Sequence, residues 1–255
     1  MIKKLFLTFL IYLFSFNAYC GCDFDGTDGF INLGDVDVDS TAATISLWVY
    51  ASSWRDQWQT LIAKRPAGSQ IANYSLNVRG GASNIFQWFC GDGSFHIDNF
   101  VASGVSTGVW HHFLGELVQN GTSLDSEIWV DNVSKASTSY ANTNLADCLD
   151  NTEANIGCYN SGYEFFDGHI TEVAMWNAQL TAQERTLLTD SKIKGMPYQI
   201  QPASLVGYWP LDDLADSTSI NAQTFKDRAG TNDGTGSDAG GESIGKAEEV
   251  LSHPD

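Results

Sequence analysis

The chain has 255 residues, a formal net charge of −18 and aromatic side chains at 12%. Such an acidic field repels nucleic acid and anionic lipid while remaining compatible with cation binding, which excludes a nucleic-acid partner. The length is enough for one sizeable core, and all-β sandwiches of this size are routinely a single domain.

The chain opens with Lys3 and Lys4 ahead of an uncharged apolar stretch from Leu5 to Phe16, followed by Asn17, Ala18, Tyr19 and Cys20. This is the pattern of a secretory signal peptide over residues 1–20, with cleavage within a few residues of Cys20. The stretch makes only about 18 Å of helix against a hydrocarbon core of about 30 Å, so a permanent span is disfavoured. No later segment is apolar enough to be a transmembrane span after cleavage. Loss of Lys3 and Lys4 takes the net charge from −18 to −20. A second reading is lipid anchoring at Cys22, which Gly21 suits and Tyr19 does not. Both readings place the protein outside the cell, secreted or on the cell surface.

Four cysteines remain in the exported chain, Cys22, Cys90, Cys148 and Cys158, and an even number in an oxidising compartment suggests disulfides. Three connectivities are open. The short spacing between Cys148 and Cys158 favours a clip between them, which leaves Cys22 with Cys90. No CxxC spacing or paired histidines accompany them, which argues against zinc.

After the signal, short runs with the strand period of two or with continuous apolar character are separated by Gly, Asn, Asp and Ser. They lie at Gly29–Gly34, Ala43–Ala51, Trp58–Lys64, Tyr74–Arg79, Ile85–Cys90, Phe95–Val101, Val109–Val118, Glu127–Val130, Val133–Ser137, Ala154–Tyr159, Gly168–Asn177 and Leu205–Leu211. Many short strands with turns between them make the fold class all-β, a two-sheet antiparallel sandwich. Glu127–Val130 and Val133–Ala136 are joined by Asp131 and Asn132, two residues that tolerate the positive φ of a type I′ hairpin. One short connector helix is expected from Thr181, whose hydroxyl caps while Glu184 reaches back, to about Thr189. Residues 21–230 thus form the domain, and 231–255, rich in Gly and Asp, read as a tail or linker.

Six segments stand in a recognisable order: DFDGTDGFINLG from Asp23, TISLWVYA from Thr44, GVWHHFLGEL from Gly108, EIWVDNVSKAS from Glu127, NIGCY from Asn155 and FDGHITEVAMWNAQLTAQE from Phe166. Together they resemble the laminin G-like domains of the concanavalin A-like lectin and glucanase superfamily, which implies a jelly-roll sandwich. LVGYWPLDD from Leu205 and DRAGTNDGTG from Asp227 resemble a segment that usually opens such a domain, yet here they come last. Either they complete the same sandwich in permuted order or they begin a second copy.

Glucanases of the superfamily carry E-x-D-x-x-E along one strand, and that motif is absent here. Glu127 and Asp131 are the nearest approximation, but Asp131 falls in a turn. No GxSxG elbow occurs, and His111 and His112 alternate across a strand. The chain is therefore read as no enzyme. Binding of an extracellular glycan or glycoprotein, in adhesion or targeting, is the leading function; a structural or protein-interaction module is the alternative, and a divergent glycosidase a weaker one. Trp54 and Trp58 in SSWRDQW, and Tyr163 and Phe165 with Phe166 in NSGYEFFDG, are aromatic residues in polar connecting stretches. Loops are where ligand-binding residues concentrate, although packing over the end of a sandwich explains them equally. The resemblance also implies calcium at the rim, for which Asp25, Asp28 and Asp167 are the candidate metal ligands; Asp-Gly is equally turn chemistry.

Overall fold

The computed structural model describes residues 21–38, 41–66, 68–69, 71–81, 84–101, 105–149, 151–160, 162–190, 196–213 and 218–238. The signal peptide expected over 1–20 and residues 239–255 of the expected tail lie outside them.

The strands follow in chain order as β1 (Cys22–Asp25), β2 (Phe30–Gly34), β3 (Ala42–Tyr50), β4 (Trp58–Lys64), β5 (Ile71–Arg79), β6 (Ile85–Asp92), β7 (Phe95–Val101), β8 (Trp110–Asn120), β9 (Ser123–Val130), β10 (Val133–Ala141), β11 (Ala154–Ile156), β12 (Asp167–Trp176), β13 (Leu205–Trp209), β14 (Thr224–Phe225) and β15 (Gly234–Ser237). They form two antiparallel sheets. The first runs β1-β12-β3-β8-β9-β10, and β13 shares the outer flank of β12 with β1. β1 pairs with residues 167–170 of β12 and β13 with residues 173–176, so the late LVGYW segment sits in the same sheet as the opening strand. The second sheet runs β14-β15-β2-β11-β4-β5-β6-β7. The expected two-sheet all-β sandwich is what the chain forms.

Strand alternation sends one set of side chains between the sheets. Ile45, Leu47, Phe113 and Met175 of the first sheet meet Leu76, Phe86 and Trp88 of the second in one continuous core. Burial of each such side chain contributes about 1.5–3 kcal/mol.

Local chemistry sets the connections. Asp131 and Asn132 hold φ of 51° and 59°, the two positive values a type I′ turn needs, and β9 pairs with β10 around them. Thr181 caps α1 (Ala182–Thr189), and Glu184 completes the capping box.

One expectation is corrected. The tail does not begin at 231, because Gly234–Ser237 is β15, paired with β2 on one side and β14 on the other. Cys22, the residue considered for lipid anchoring, is 4% exposed in β1 and belongs to the core. Among the described residues Cys22, Cys90, Cys148 and Cys158 are not joined by disulfides. Cys148 ends the 3-10 turn Leu145–Cys148, which packs on β6, the strand that carries Cys90. Cys158 follows β11, which β4 and β5 separate from β6. Cys22 lies in the other sheet from Cys90, opposite Ile170.

Candidate functional site

The two outer faces differ in chemistry. On the first sheet Leu114, Ala174, Trp176 and Tyr208 form an apolar surface that is already covered, by Leu180 and Leu188 of the α1 segment and by Met196 and Ile200. Trp176 Nε1 donates to the Ile200 carbonyl at 2.8 Å. Glu116 accepts from the Leu180 amide at 3.1 Å and from Arg185 Nη1 at 3.3 Å, and Arg185 lies 4.0 Å over the Trp129 ring. Burial holds the Glu116 carboxyl above the usual carboxylate range. This face is a packed layer.

The outer face of the second sheet is polar. Register sets Thr60 of β4, Asn77 of β5 and Gln87 of β6 side by side, and Ser75, two residues from Asn77 on β5, shares their face. Thr60 Oγ1 donates to Asn77 Oδ1 at 2.9 Å, Ser75 Oγ donates to the same oxygen at 3.1 Å, and Asn77 Nδ2 donates to Gln87 Oε1 at 3.4 Å. The row through Ser75 continues by register to Ala63, Asn155, Asn32 and Thr235. Asn32 Nδ2 donates to Glu153 Oε2 at 2.6 Å. The Asn155 side-chain oxygen is buried with no hydrogen-bond partner.

The segment from Gly157 to Phe166 lies across one end of this ladder. The Thr60 amide donates to the Glu164 carbonyl at 2.7 Å, and Thr60 Oγ1 lies 3.1 Å from Glu164 Oε2. Burial raises the Glu164 carboxyl above its ordinary value, and Thr60 and Arg65 partly offset this. Arg65 stands 4.5 Å from the Tyr159 ring centroid, 4.9 Å from Phe95 and 5.3 Å from Phe89. Its Nε donates to the Ser69 carbonyl at 3.4 Å, and among the described residues no carboxylate lies within ion-pair distance of it. Tyr163 pairs with Tyr159 in an isolated bridge and is 62% exposed. A half-exposed guanidinium held flat among rings, an exposed phenol and a row of amides and hydroxyls make a surface suited to a polyhydroxylated ligand.

The sequence candidates divide here. Tyr163 is at this border, and Phe165 is half-buried with its ring 6.5 Å from Phe30. Trp58 opens β4 opposite Arg79. Trp54 is corrected: it is buried in the core, edge-on to Phe86 at 5.0 Å, because the chain after β3 tucks under β5 and β6. Phe166 is also core, against Phe24. Arg65, Thr60, Asn77 and Gln87 were not singled out from the sequence; the last three are single polar residues on three strands, which only strand pairing sets in a row.

Asp25 faces Asp167 in register on β1 and β12. Asp25 Oδ1 accepts from the Thr27 amide at 2.7 Å, while Arg55 stands 3.8 Å from Asp167 and donates to the Gly26 carbonyl at 2.9 Å. Among the described residues no three carboxylate, histidine or cysteine side chains converge for a metal. A guanidinium beside Asp167 and turn-type bonds at Asp25 do not fit a calcium ion bound by Asp25, Asp28 and Asp167.

One constellation resembles hydrolytic chemistry. His111 Nδ1 lies 2.6 Å from Asp131 Oδ2, and Nε2 lies 3.3 Å from Ser106 Oγ. Nε2 is closer still, 3.0 Å, to the Ser106 carbonyl oxygen. Only a protonated Nε2 satisfies that acceptor, and a protonated nitrogen cannot take a proton from serine. The group ties the segment at Ser106 to the β9–β10 turn.

With this geometry in hand, a family model for the concanavalin A-like lectin/glucanases superfamily, of laminin G type, matches residues 25–184. The chain belongs to the concanavalin A-like superfamily. No curated protein matches it. Among solved structures, a Bacteroides ovatus ATCC 8483 protein provisionally described as carbohydrate binding superposes with a TM-score of 0.61 at 17% identity, over 92% of this chain and 62% of that one. The concanavalin A-like chain thus spans about three fifths of that protein. A heptameric SAP-like pentraxin from Limulus polyphemus gives 0.52 at 9% identity, over 71% and 85%. The enzymatically active domain of bacteriophage CBA120 tailspike protein 2 gives 0.55 at 14% identity, over 76% and 30%. At these identities the likeness is one of fold alone.

Proposed function

We propose that this chain is an exported, non-catalytic module that binds a carbohydrate along the outer face of its second sheet. The observation that carries this is the ladder from Glu164 through Thr60 and Asn77 to Gln87, bordered by Arg65 among three rings and by exposed Tyr163. Sugar hydroxyls both donate and accept, which amide, hydroxyl and guanidinium groups match, and pyranose C–H faces stack on phenols. On the first sheet, α1 and residues 196–200 cover the face around Leu114, Ala174 and Trp176. The carbohydrate-binding description of the Bacteroides ovatus structure agrees with this reading. Export rests on the pattern of residues 1–20.

The non-catalytic reading is supported by the surroundings of one carboxylate pair. Glu116 and Glu127 are cross-strand neighbours, but Glu116 is enclosed by Leu180 and Arg185 and has no room for a glycosidic bond. The test is a glycan array probed with the purified full chain and with Tyr163→Ala, a change at an exposed position. The reading expects saccharide hits that the variant loses at least tenfold; no hits, or hits the variant keeps, overturn it.

A further inference from the structure

Two core thiols meet in this domain. Cys90 lies on the inner face of β6 and Cys148 at the end of the 3-10 turn Leu145–Cys148, both fully buried in the same core cluster. The turn packs against β5, β6 and β8, and the Cys90 and Cys148 side chains are neighbours in that packing, not bonded to one another in the structure. The turn is held there independently of the thiols: Asn144 caps it by accepting from the Ala146 amide at 3.1 Å, and Gln119 Oε1 accepts from the Leu145 amide at 2.7 Å. Backbone elements fixed by other bonds therefore present the two sulfurs to each other, which is the precondition for a disulfide without distortion.

We infer that Cys90 and Cys148 form a disulfide in the exported protein, stitching the Leu145–Cys148 turn to the strand that carries Gln87 and Phe89 on its other face. Cys22 and Cys158 stay out of this bond, being on β1 of the other sheet and beyond β11 respectively. The reaction is thiol–disulfide exchange. Two thiols lose two protons and two electrons to an external disulfide, such as glutathione disulfide or a protein oxidant of the export compartment, which leaves as two thiols. The folded protein is a poor substrate for it. The neighbouring Cys148 side chain and burial hold the Cys90 thiol well above its ordinary value, so little attacking thiolate exists once the core has closed. The bond is therefore made during folding, before the turn docks.

The experiment refolds the reduced, denatured full chain with glutathione disulfide and maps cross-linked peptides by mass after non-reducing digestion. The inference expects one Cys90–Cys148 peptide pair, two hydrogen masses lighter than the two thiols, with Cys22 and Cys158 alkylated. A Cys148–Cys158 or Cys22–Cys90 pair, or four alkylated thiols, overturns it. A second readout covers the case in which single variants misfold: reductant is expected to lower the Tm of the oxidised wild type by roughly 5–15 °C. The double variant Cys90→Ala, Cys148→Ala is expected to show no reductant response; an equal response in both overturns the assignment.

Discussion

The indole of Trp88 occupies the space that a side chain at position 115 would need. A Cβ on Gly115 would lie 2.5 Å from the Trp88 ring, and Trp88 Nε1 donates to the neighbouring Glu116 carbonyl at 3.1 Å, so the ring has no free direction in which to move. Gly115 in β8 is thus the point where the first sheet makes room for the largest side chain of the second. Gly115→Ala is expected to destabilise the domain by about 1–3 kcal/mol through overpacking, read as a lower urea midpoint with unchanged slope. A midpoint equal to wild type contradicts this packing.

His112 gives a pH dependence whose sign follows from its surroundings. It is fully buried beside Trp48, 2.7 Å from Ser46 Oγ, and burial depresses its pKa to about 4, with Asp131 opposing. The unfolded chain takes up the proton near pH 6.5, so stability is full above that and is lost as pH falls toward 4, by about 3 kcal/mol in all. Asp23 acts in the opposite direction. Burial, with the charges of Asp167 and Asp25, raises it to about 6, and its contribution is lost as pH rises through that value. The informative quantity is therefore a difference. Relative to His112→Gln, wild type should lose stability between pH 6.5 and 4 in urea titrations; parallel profiles contradict a neutral buried imidazole.

Residues 231–238 are expected to be indispensable. Trp209 Nε1 donates to the Asn232 carbonyl at 2.8 Å, and β15 covers Ile31 and links β2 to β14, where Phe225 is buried. A chain ending at residue 230 uncovers Phe225 and Ile31, at about 1.5–3 kcal/mol each before lost ladder bonds are added. Thermal unfolding should show a lower Tm or no cooperative transition; a wild-type Tm contradicts the placement of β15.

Calcium is expected to have no specific effect. Arg55 already supplies a positive charge at the Asp167 carboxylate. Calcium, magnesium and sodium chloride at matched ionic strength should shift Tm equally by screening. A rise confined to calcium and lost in Asp25→Ala contradicts this reading of the rim.

What was legible in the sequence was local. Asp131 and Asn132 announced the hairpin because a type I′ turn is decided by two residues, and Thr181 with Glu184 announced α1 because a capping box spans one turn. β15 was missed because its close packing demands the residues that make it look like a linker: a Cβ on Gly236 would lie 2.1 Å from the Ile220 carbonyl oxygen. The polar ladder was hidden because Thr60, Asn77 and Gln87 come from three strands and become neighbours only through strand pairing. Cys90 and Cys148 lie far apart in sequence and meet only because a 3-10 turn folds onto β6. Trp54 read as an exposed loop residue for the same reason: its partner, Phe86, comes from a distant strand.

The most direct test of the account is hydrogen–deuterium exchange of the full chain with and without the tightest saccharide from the array. The carbohydrate-binding face predicts that added protection falls on residues 59–65, 75–77, 87–89 and 159–165, the segments that hold Thr60, Arg65, Asn77, Gln87 and Tyr163. Protection confined to β8, β9 and β10, with those segments unchanged, would contradict it.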